Sequence, residues 1–352
     1  MFQQKLLRVL LVLCAFLPAC ASSQPSSSGA APVFFPEPPA EPRLQFLGTL
    51  SSADDIEDQS GFAELVIGSK RTLALARPHG TVWWHERLYV CDPGAGSLMV
   101  FDFAEKELRR AVESESRILR KPIAIGVAPD GWKYVVDVKR SVIVVLDAED
   151  RFRTTFGDPD GWRPVGVAVG RERLFVADVL SHSIVVLDRA SGERVAVLGG
   201  EGTDIGSFYY PVAVTFGPDG DLWVTDSFNF RIQRLRTDGT PVESFGEVGD
   251  RPGMFARPKS AAVDAAGRVF VVDGAFENIQ FFDAKRRLLL FFGAPGEQPG
   301  AMNLPAHVTI SYEAIPQFAD RVASGRELEY VIFVSSQLGT ERVSVYGLLR
   351  PR

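Results

Sequence analysis

The sequence predicts an all-β protein, a six-bladed β-propeller with four-stranded antiparallel blades. Three observations predict this fold. A proline opens each of six units of similar length, short apolar strands separated by turn residues fill each unit, and one glycine pattern recurs in three successive connections. Units of four short strands are typical of a propeller, in which every blade buries its faces against its neighbours. The hydrophobic content of 46% is sufficient for such a core.

Each unit shows the same order of signals. An apolar strand follows the opening proline, and then comes a turn such as Pro218-Asp219-Gly220, in which glycine adopts a positive φ without steric cost. No amphipathic segment of helical length alternates with the strands, so the sequence excludes a parallel α/β sheet. The opening prolines are Pro78, Pro122, Pro164, Pro211, Pro258 and Pro305.

The second strand of most units ends in an aspartate. A cluster of carboxylates is one interpretation of this pattern. However, a residue that recurs in nearly every blade serves the repeat itself, and aspartate commonly accepts hydrogen bonds from the backbone amides of its own turn. We therefore expect the aspartates to be structural, and the specific function to lie where the blades differ. They are Asp92, Asp137, Asp178, Asp226 and Asp273, with Ser335 at the equivalent place in the sixth unit.

The last unit lacks a fourth strand, because the chain ends just after the strand at 343–349. At the other end of the chain, residues 43–50 have the composition of a strand. An unpaired sheet edge is unfavourable and promotes association. We predict that this N-terminal strand completes the last blade and closes the ring.

These features together resemble the NHL repeat. The unit that begins at Pro211 has a Val-Ala-Val strand, a second strand ending in Asp226, and a third strand that starts with Arg231-Ile232-Gln233. The resemblance covers residues 78–350 and implies a six-bladed propeller. RNA-binding members of the family have a basic face, whereas this chain has a formal net charge of -6, so we expect no nucleic-acid partner.

Residues 1–19 differ from the rest of the chain. Lys5 and Arg8 precede an apolar run from Val9 to Leu17, which is long enough for a signal sequence and too short to span a membrane. The sequence Leu17-Pro18-Ala19-Cys20 resembles the lipobox of bacterial lipoproteins. The resemblance implies that Cys20 is lipidated and becomes the new N-terminus; the alternative is an ordinary signal peptide.

Residues 20–42 are rich in Ser, Pro, Ala and Gly, a composition that buries little apolar surface. The sequence therefore predicts a lipoprotein signal peptide at 1–19, a lipidated and disordered tether at 20–42, and the propeller at 43–352. Cys20 is not followed by the aspartate that retains lipoproteins in the inner membrane. The resemblance thus implies an exported protein, anchored in the outer membrane and touching it only through its lipid.

Catalytic motifs are few. The chain has no phosphate-binding loop and no Gly-x-Ser-x-Gly turn, and Cys91 would be the one cysteine left in the folded domain. The alternative to a binding module is a metal-dependent lyase or hydrolase, with His79, His182 and His307 as ligands of zinc or calcium. Amidating lyases related to the NHL group bind metal through histidines that repeat in register. Here His79 and His307 are offset by one position.

Two segments depart from the repeat, at 51–77 and 311–328. The first includes an apolar stretch at 62–68 that predicts a short helix, and the second is polar and should project beyond the ring. We expect a monomeric, non-catalytic binding or scaffold module without a cofactor. Its partner would be an envelope or extracellular protein, or a small ligand, at the channel mouth or at the 311–328 insertion.

Overall fold

The computed structural model describes residues 31–57, 72–112, 118–158 and 161–351. The predicted signal sequence, Cys20 and the helix predicted at 62–68 lie outside these ranges. Val33–Arg352 forms one compact unit. Within the described ranges, none of the helices has both the length and the apolar character needed to cross a membrane.

Short strands dominate the described chain, and the inner strands of blades 2 to 6 begin at their opening prolines. In chain order the strands are β1 (Phe34–Phe35), β2 (Leu44–Leu50), β3 (Thr81–Trp84), β4 (Arg87–Asp92), β5 (Ser97–Asp102), β6 (Glu107–Arg110), β7 (Pro122–Val127), β8 (Lys133–Asp137), β9 (Val142–Leu146), β10 (Phe152–Phe156), β11 (Pro164–Val169), β12 (Arg173–Asp178), β13 (Ser183–Asp188), β14 (Arg194–Leu198), β15 (Pro211–Phe216), β16 (Leu222–Asp226), β17 (Arg231–Leu235), β18 (Pro241–Phe245), β19 (Pro258–Val263), β20 (Val269–Asp273), β21 (Asn278–Phe282), β22 (Leu288–Phe292), β23 (Pro305–Ser311), β24 (Leu328–Ser336) and β25 (Val343–Leu349).

Each blade is an antiparallel sheet, and in blades 1 to 5 the strands follow one another in the chain. Blade 1 contains β3–β6, and blades 2 to 5 contain the next four sets of four strands in order. Blade 6 contains β23, β24 and β25 with β2 and β1. This arrangement confirms the predicted all-β six-bladed propeller. The sequence does not predict β6, because three of its four residues are charged and its one apolar side chain gives no pattern.

The hydrophobic core lies between neighbouring blades. Trp83 of blade 1 stacks on Phe333 of blade 6 with ring centroids 5.4 Å apart. Phe245 of blade 4 meets Phe282 of blade 5 edge-on at 5.3 Å. Since both faces of every blade are apolar, each blade needs two neighbours to remove those faces from water.

The N-terminal strand β2 closes the ring. It pairs antiparallel with β25, from Leu44 opposite Leu348 to Leu50 opposite Val343. Leu44 and Leu50 are fully buried. Strand β2, near the N-terminal end of the folded unit, and the last strand β25 therefore lie side by side in blade 6, as the strand count of the last unit requires.

A short outer strand precedes the closing strand. In β1, Phe34 pairs with Gln45 of β2, and the ring of Phe35 packs against Phe292 and Tyr346 at centroid distances of 5.9 Å in both cases. Ordered chain thus begins before residue 43, the start predicted for the propeller. The reason is that the two phenylalanines have apolar partners, whereas the average composition of the segment is that of a tether.

The 311–328 insertion folds back on the ring instead of projecting from it, which corrects the sequence-based expectation. It contains the helix α1 (Ile315–Phe318), whose last side chain is fully buried. Gln45 of β2 holds the following turn. Its Nε2 donates to the carbonyl of Arg321 at 2.8 Å, and its Oε1 accepts from the N–H of Ala323 at 2.9 Å. A few apolar residues within a polar segment are sufficient to dock it.

The inner strands of blades 2 to 6 all start with a β-bulge. In blade 3, Pro164 pairs with Asp178 and Gly166 pairs with Ala177, so Val165 is skipped. Bulges redirect side chains and are frequent beside functional sites. The residues skipped in this way are Ile123, Val165, Val212, Lys259 and Ala306.

Candidate functional site

The recurrent aspartates lie beneath the face of the ring on which the inner strands begin. The carboxylate of Asp92 accepts backbone N–H groups of Ala76 (2.6 Å) and Arg77 (2.9 Å), and of Gly94 (2.9 Å) and Ala95 (3.0 Å) in its own turn. These bonds fix the segment that precedes the opening proline. The other four carboxylates each accept at least one N–H from the equivalent segment, at Asp137, Asp178, Asp226 and Asp273.

The residue held before the proline is basic in four blades. We call these four residues the basic rim: Arg77, Lys121, Arg163 and Arg257. All are exposed, and none of them forms an ion pair with a carboxylate of the described ranges. Arginines on the flanks of the blades are paired, for example Arg286 with Glu243 at 2.5 Å. Exposed basic side chains without an ion-pair partner among the described residues therefore surround the channel mouth of an acidic chain.

Lys259 lies behind the basic rim, at the bulge position of blade 5. The aliphatic part of the Lys259 side chain lies directly over Gly274, so any side chain at position 274 would displace Lys259. Burial, followed by the charge of Arg257, lowers the pKa of Lys259 to about 8, although Glu277 and Asp273 oppose the shift. Near neutral pH the amine is therefore still mostly protonated, although its pKa lies below the ordinary value for a lysine.

His79 and His307 are neighbours in the channel. Burial is the main cause that lowers the pKa of His79 to about 3, and the charges of His307 and Lys259 act in the same direction. Burial also lowers the pKa of His307 to about 4, and its Nδ1 accepts from the N–H of Thr81 at 3.3 Å. Nδ1 of His79 is buried and has no hydrogen-bond partner among the described residues. Both imidazoles are neutral at pH 7.

His182 belongs to a different cluster on the same face. Its Nδ1 accepts from the N–H of Tyr210 at 2.9 Å, and its ring stacks on Tyr209 with centroids 5.2 Å apart. Tyr210 in turn stacks on Phe228 at 4.7 Å. Tyr209 and Phe228 remain 42% and 48% exposed. We call His182, Tyr209, Tyr210 and Phe228 the aromatic ledge. Tyr210 precedes the opening proline of blade 4, where the basic rim is interrupted.

The structure does not bring the three predicted metal ligands together, because His182 lies in the aromatic ledge. Among the residues that the structure describes, no group of three or more His, Cys, Asp or Glu side chains is placed to hold a metal ion. Cys91 is buried, and burial raises the pKa of its thiol well above the ordinary value. A buried, protonated thiol is a poor nucleophile and a poor metal ligand.

Two cavities follow the channel. The mouth cavity has a volume of about 630 Å³, and its lining includes His79, the bulge residue Val165 and three residues of the basic rim. The inner cavity, of about 300 Å³, is lined mainly by apolar residues of the inner strands, with His307, Thr81 and Thr309 among its polar groups. The mouth cavity has the volume typical of a site for a small molecule.

A signal for the basic rim is present in the sequence. When the six units are aligned on their opening prolines, the preceding residue is Arg or Lys in four of them. The negative net charge of the chain conceals this local pattern. The aromatic ledge has no comparable signal, because its members come from three separate loops and meet only in the folded ring.

The fold and the site define a six-bladed β-propeller with a ligand-sized cavity at one mouth of its channel. A family model for the NHL repeat matches residues 208–235, in blade 4. This match falls on the unit in which the resemblance is strongest. The chain is thus a six-bladed β-propeller that contains an NHL repeat in blade 4.

Two curated proteins are similar to part of the chain. A probable peptidyl-α-hydroxyglycine α-amidating lyase of Caenorhabditis elegans is 32% identical over 112 residues, which cover 30% of this chain and 32% of that protein. NHL repeat-containing protein 3 of Homo sapiens is 33% identical over 100 residues, covering 26% and 29%. The chain thus spans about a third of the length of these relatives.

Among solved structures, a gluconolactonase from Xanthomonas campestris is similar over nearly the whole ring. The TM-score is 0.57 with 15% sequence identity, and the alignment covers 87% of this chain and 89% of that chain. At this identity the likeness shows the fold alone, because propellers of one architecture perform unrelated functions.

Proposed function

We propose that this protein is an exported, lipid-anchored propeller that binds a protein or small ligand of the bacterial envelope at the mouth of its channel. One contrast carries the binding function. The aspartates that repeat from blade to blade are satisfied by backbone amides, whereas the exposed side chains of the basic rim at the mouth have no ion-pair partner among the described residues. Side chains that do not hold the ring together, and that meet at a cavity, are available to a ligand.

Export and anchoring are supported by the sequence of residues 1–20. A basic start, a short apolar run and Ala19-Cys20 are the pattern of a lipoprotein signal. The segment that follows is rich in Ser and Pro and is suited to a spacer between a membrane and a folded domain. An anchor of this kind would leave the channel mouth free to meet partners.

Cys20→Ser is expected to abolish lipidation. In bacteria that express the gene and are grown with labelled palmitate, the wild-type protein should carry label and sediment with membranes. Cys20→Ser should lose the label, because no thiol remains at the lipidation position. Cys14→Ser is the matched control, since Cys14 lies in the predicted signal peptide, and it should keep the label. Equal labelling of Cys20→Ser and wild type would disprove the anchor.

Val165→Trp is expected to block binding at the mouth. Val165 lines the mouth cavity at a bulge, so an indole ring there would fill space without changing any charge. After equilibrium dialysis against a small-molecule extract of bacterial envelopes, the wild-type protein should retain compounds that Val165→Trp does not. Val195→Trp, on the exposed outer strand of the same blade, is the control. Identical retention by all three proteins would contradict a ligand site at the mouth.

A metal-dependent lyase or hydrolase is the second candidate function. The observation that favours it is the pair of neutral neighbouring histidines, His79 and His307, with an unpartnered Nδ1 on the first. One similar protein is named a probable amidating lyase. Elemental analysis of the same dialysed samples tests this function: zinc or calcium that stays with the wild-type protein and is lost on chelation would favour it.

A further inference from the structure

We propose that the channel mouth binds a small organic anion, with the basic rim holding its carboxylate or phosphate groups and the aromatic ledge contacting its apolar part. This inference names the ligand class of the proposed binding function and rests on that function. The test below can fail while binding at the mouth still holds.

Positive side chains from three blades converge on one cavity. Arg77, Lys121 and Arg163 all line the mouth cavity, and none of them is paired with a carboxylate of the described ranges. Like charges held close together repel one another, and a bound anion would offset that repulsion. Guanidinium groups also match carboxylate and phosphate geometry, since two parallel N–H groups can donate to two oxygens.

In the part of the chain that the structure describes, the buried aspartates accept hydrogen bonds from backbone amides and form no ion pair with the basic rim. Asp92 is fully buried and its oxygens are occupied by four backbone N–H groups. Those amides separate the carboxylate from the mouth and present Arg77 on the outer side of the same segment. The equivalent arrangement recurs beneath Lys121, Arg163 and Arg257 through their own backbone N–H groups.

Lys259 adds an independent observation inside the channel. Its ammonium group is half-buried beside Arg257, and burial together with that neighbouring charge holds its pKa at about 8. Both causes disfavour the charged form, and the opposite charge of a bound anion would favour it. The charge of Lys259 also lowers the pKa of His79, which lines the mouth cavity, so this cation lies close enough to the site to be affected by a negative ligand.

The shape of the site indicates a small ligand. A cavity of about 630 Å³ is large enough to enclose a molecule the size of a metabolite. At the position of blade 4 where the basic rim is interrupted, Tyr209 and Phe228 expose large parts of their rings to solvent. Exposed stacked rings provide a flat surface for a planar or apolar group. A ligand that carries acidic groups at one end and a ring at the other fits both parts.

The test titrates benzenetricarboxylate, citrate and inorganic phosphate into the purified full-length protein by calorimetry at low ionic strength, where such contacts are least screened. Benzyl alcohol is the uncharged probe. Benzenetricarboxylate should bind saturably. Arg77→Gln, Lys121→Gln and Arg163→Gln should each weaken it about tenfold, the effect of losing one charge-assisted hydrogen bond. The preference between citrate and phosphate distinguishes a carboxylate ligand from a phosphorylated one.

Arg171→Gln is the matched control. Arg163 and Arg171 flank the same inner strand, β11, at opposite ends, and both are exposed. Arg171→Gln removes the same charge on the other face and should leave the affinity unchanged. Phe228→Ala should weaken benzenetricarboxylate but not citrate. Thermal unfolding of each variant checks that the ring is intact.

Three outcomes would overturn the proposal. Equal weakening by Arg163→Gln and Arg171→Gln would mean non-specific attraction to the whole surface. Failure of all three anions to bind would reject the ligand class, as would binding of benzyl alcohol as tight as that of benzenetricarboxylate. If the compounds retained in the Val165→Trp experiment prove to be neutral, binding at the mouth stands and the anion assignment fails.

Discussion

Deletion of Leu44–Leu50 is expected to abolish the cooperative unfolding transition and to produce a protein that aggregates. The strand buries Leu44, Leu47 and Leu50, and burial of a leucine stabilises a fold by about 2 kcal/mol. Three such side chains, together with a full ladder of backbone hydrogen bonds, approach the 5–15 kcal/mol by which a typical domain is stable, to order of magnitude. The deletion also uncovers β25, all of whose residues are buried, as a free edge for intermolecular pairing.

Circular dichroism melts and size-exclusion chromatography measure this outcome. The control is deletion of residues 22–28, an equally long piece of the Ser/Pro-rich segment, which should leave the melting temperature unchanged. A monomer with wild-type melting after loss of Leu44–Leu50 would show that the ring does not depend on the closing strand.

Asp92→Ala is expected to lower the free energy of unfolding by roughly 3–5 kcal/mol. The substitution leaves four backbone N–H groups without an acceptor in a fully buried place. Asp92→Asn should cost much less. Oδ1 accepts from Arg77, Gly94 and Ala95, and an asparagine retains that oxygen. The bond from Ala76 to Oδ2 is the one it loses.

Urea denaturation of the two variants measures the difference. Asp54→Ala, at an exposed aspartate of the first short helical turn, is the control and should change stability little. Asp92→Asn as unstable as Asp92→Ala would indicate that the negative charge, and not the hydrogen-bond geometry, holds the segment.

The repeat made the architecture predictable from sequence. Every unit opens with a proline and five of the six contain the aspartate, so errors in a single strand are corrected by the other copies. The closing strand at 43–50 followed from counting strands in the last unit. The features that escaped prediction are those without a repeat: β6 with its charged residues, β1 with its two phenylalanines, and the insertion whose helix packs on the ring.

The site was less predictable than the fold. Histidines attract attention as metal ligands, yet His182 lies in the aromatic ledge while His79 and His307 lie in the channel. Sequence spacing cannot tell these positions apart, because adjacent loops of one ring can face different neighbours. The basic rim, in contrast, is recognised from the register of the repeat. Only alignment of the units on their prolines shows that Arg77, Lys121, Arg163 and Arg257 occupy equivalent places at one mouth.

The pairing of β2 with β25, which we call the seam, joins the two ends of the folded chain in blade 6. Next to it, the carbonyl of Arg43 accepts from the N–H of Leu349 at 2.8 Å. The ribosome must therefore synthesise β25 before β2 can pair with it. A prematurely terminated product keeps an open seam, and such an edge is accessible to proteases and chaperones. The closing strand thus makes complete synthesis a condition for a finished ring. If the N-terminal segment is tethered, the same seam is the first part of the fold to bear a mechanical load.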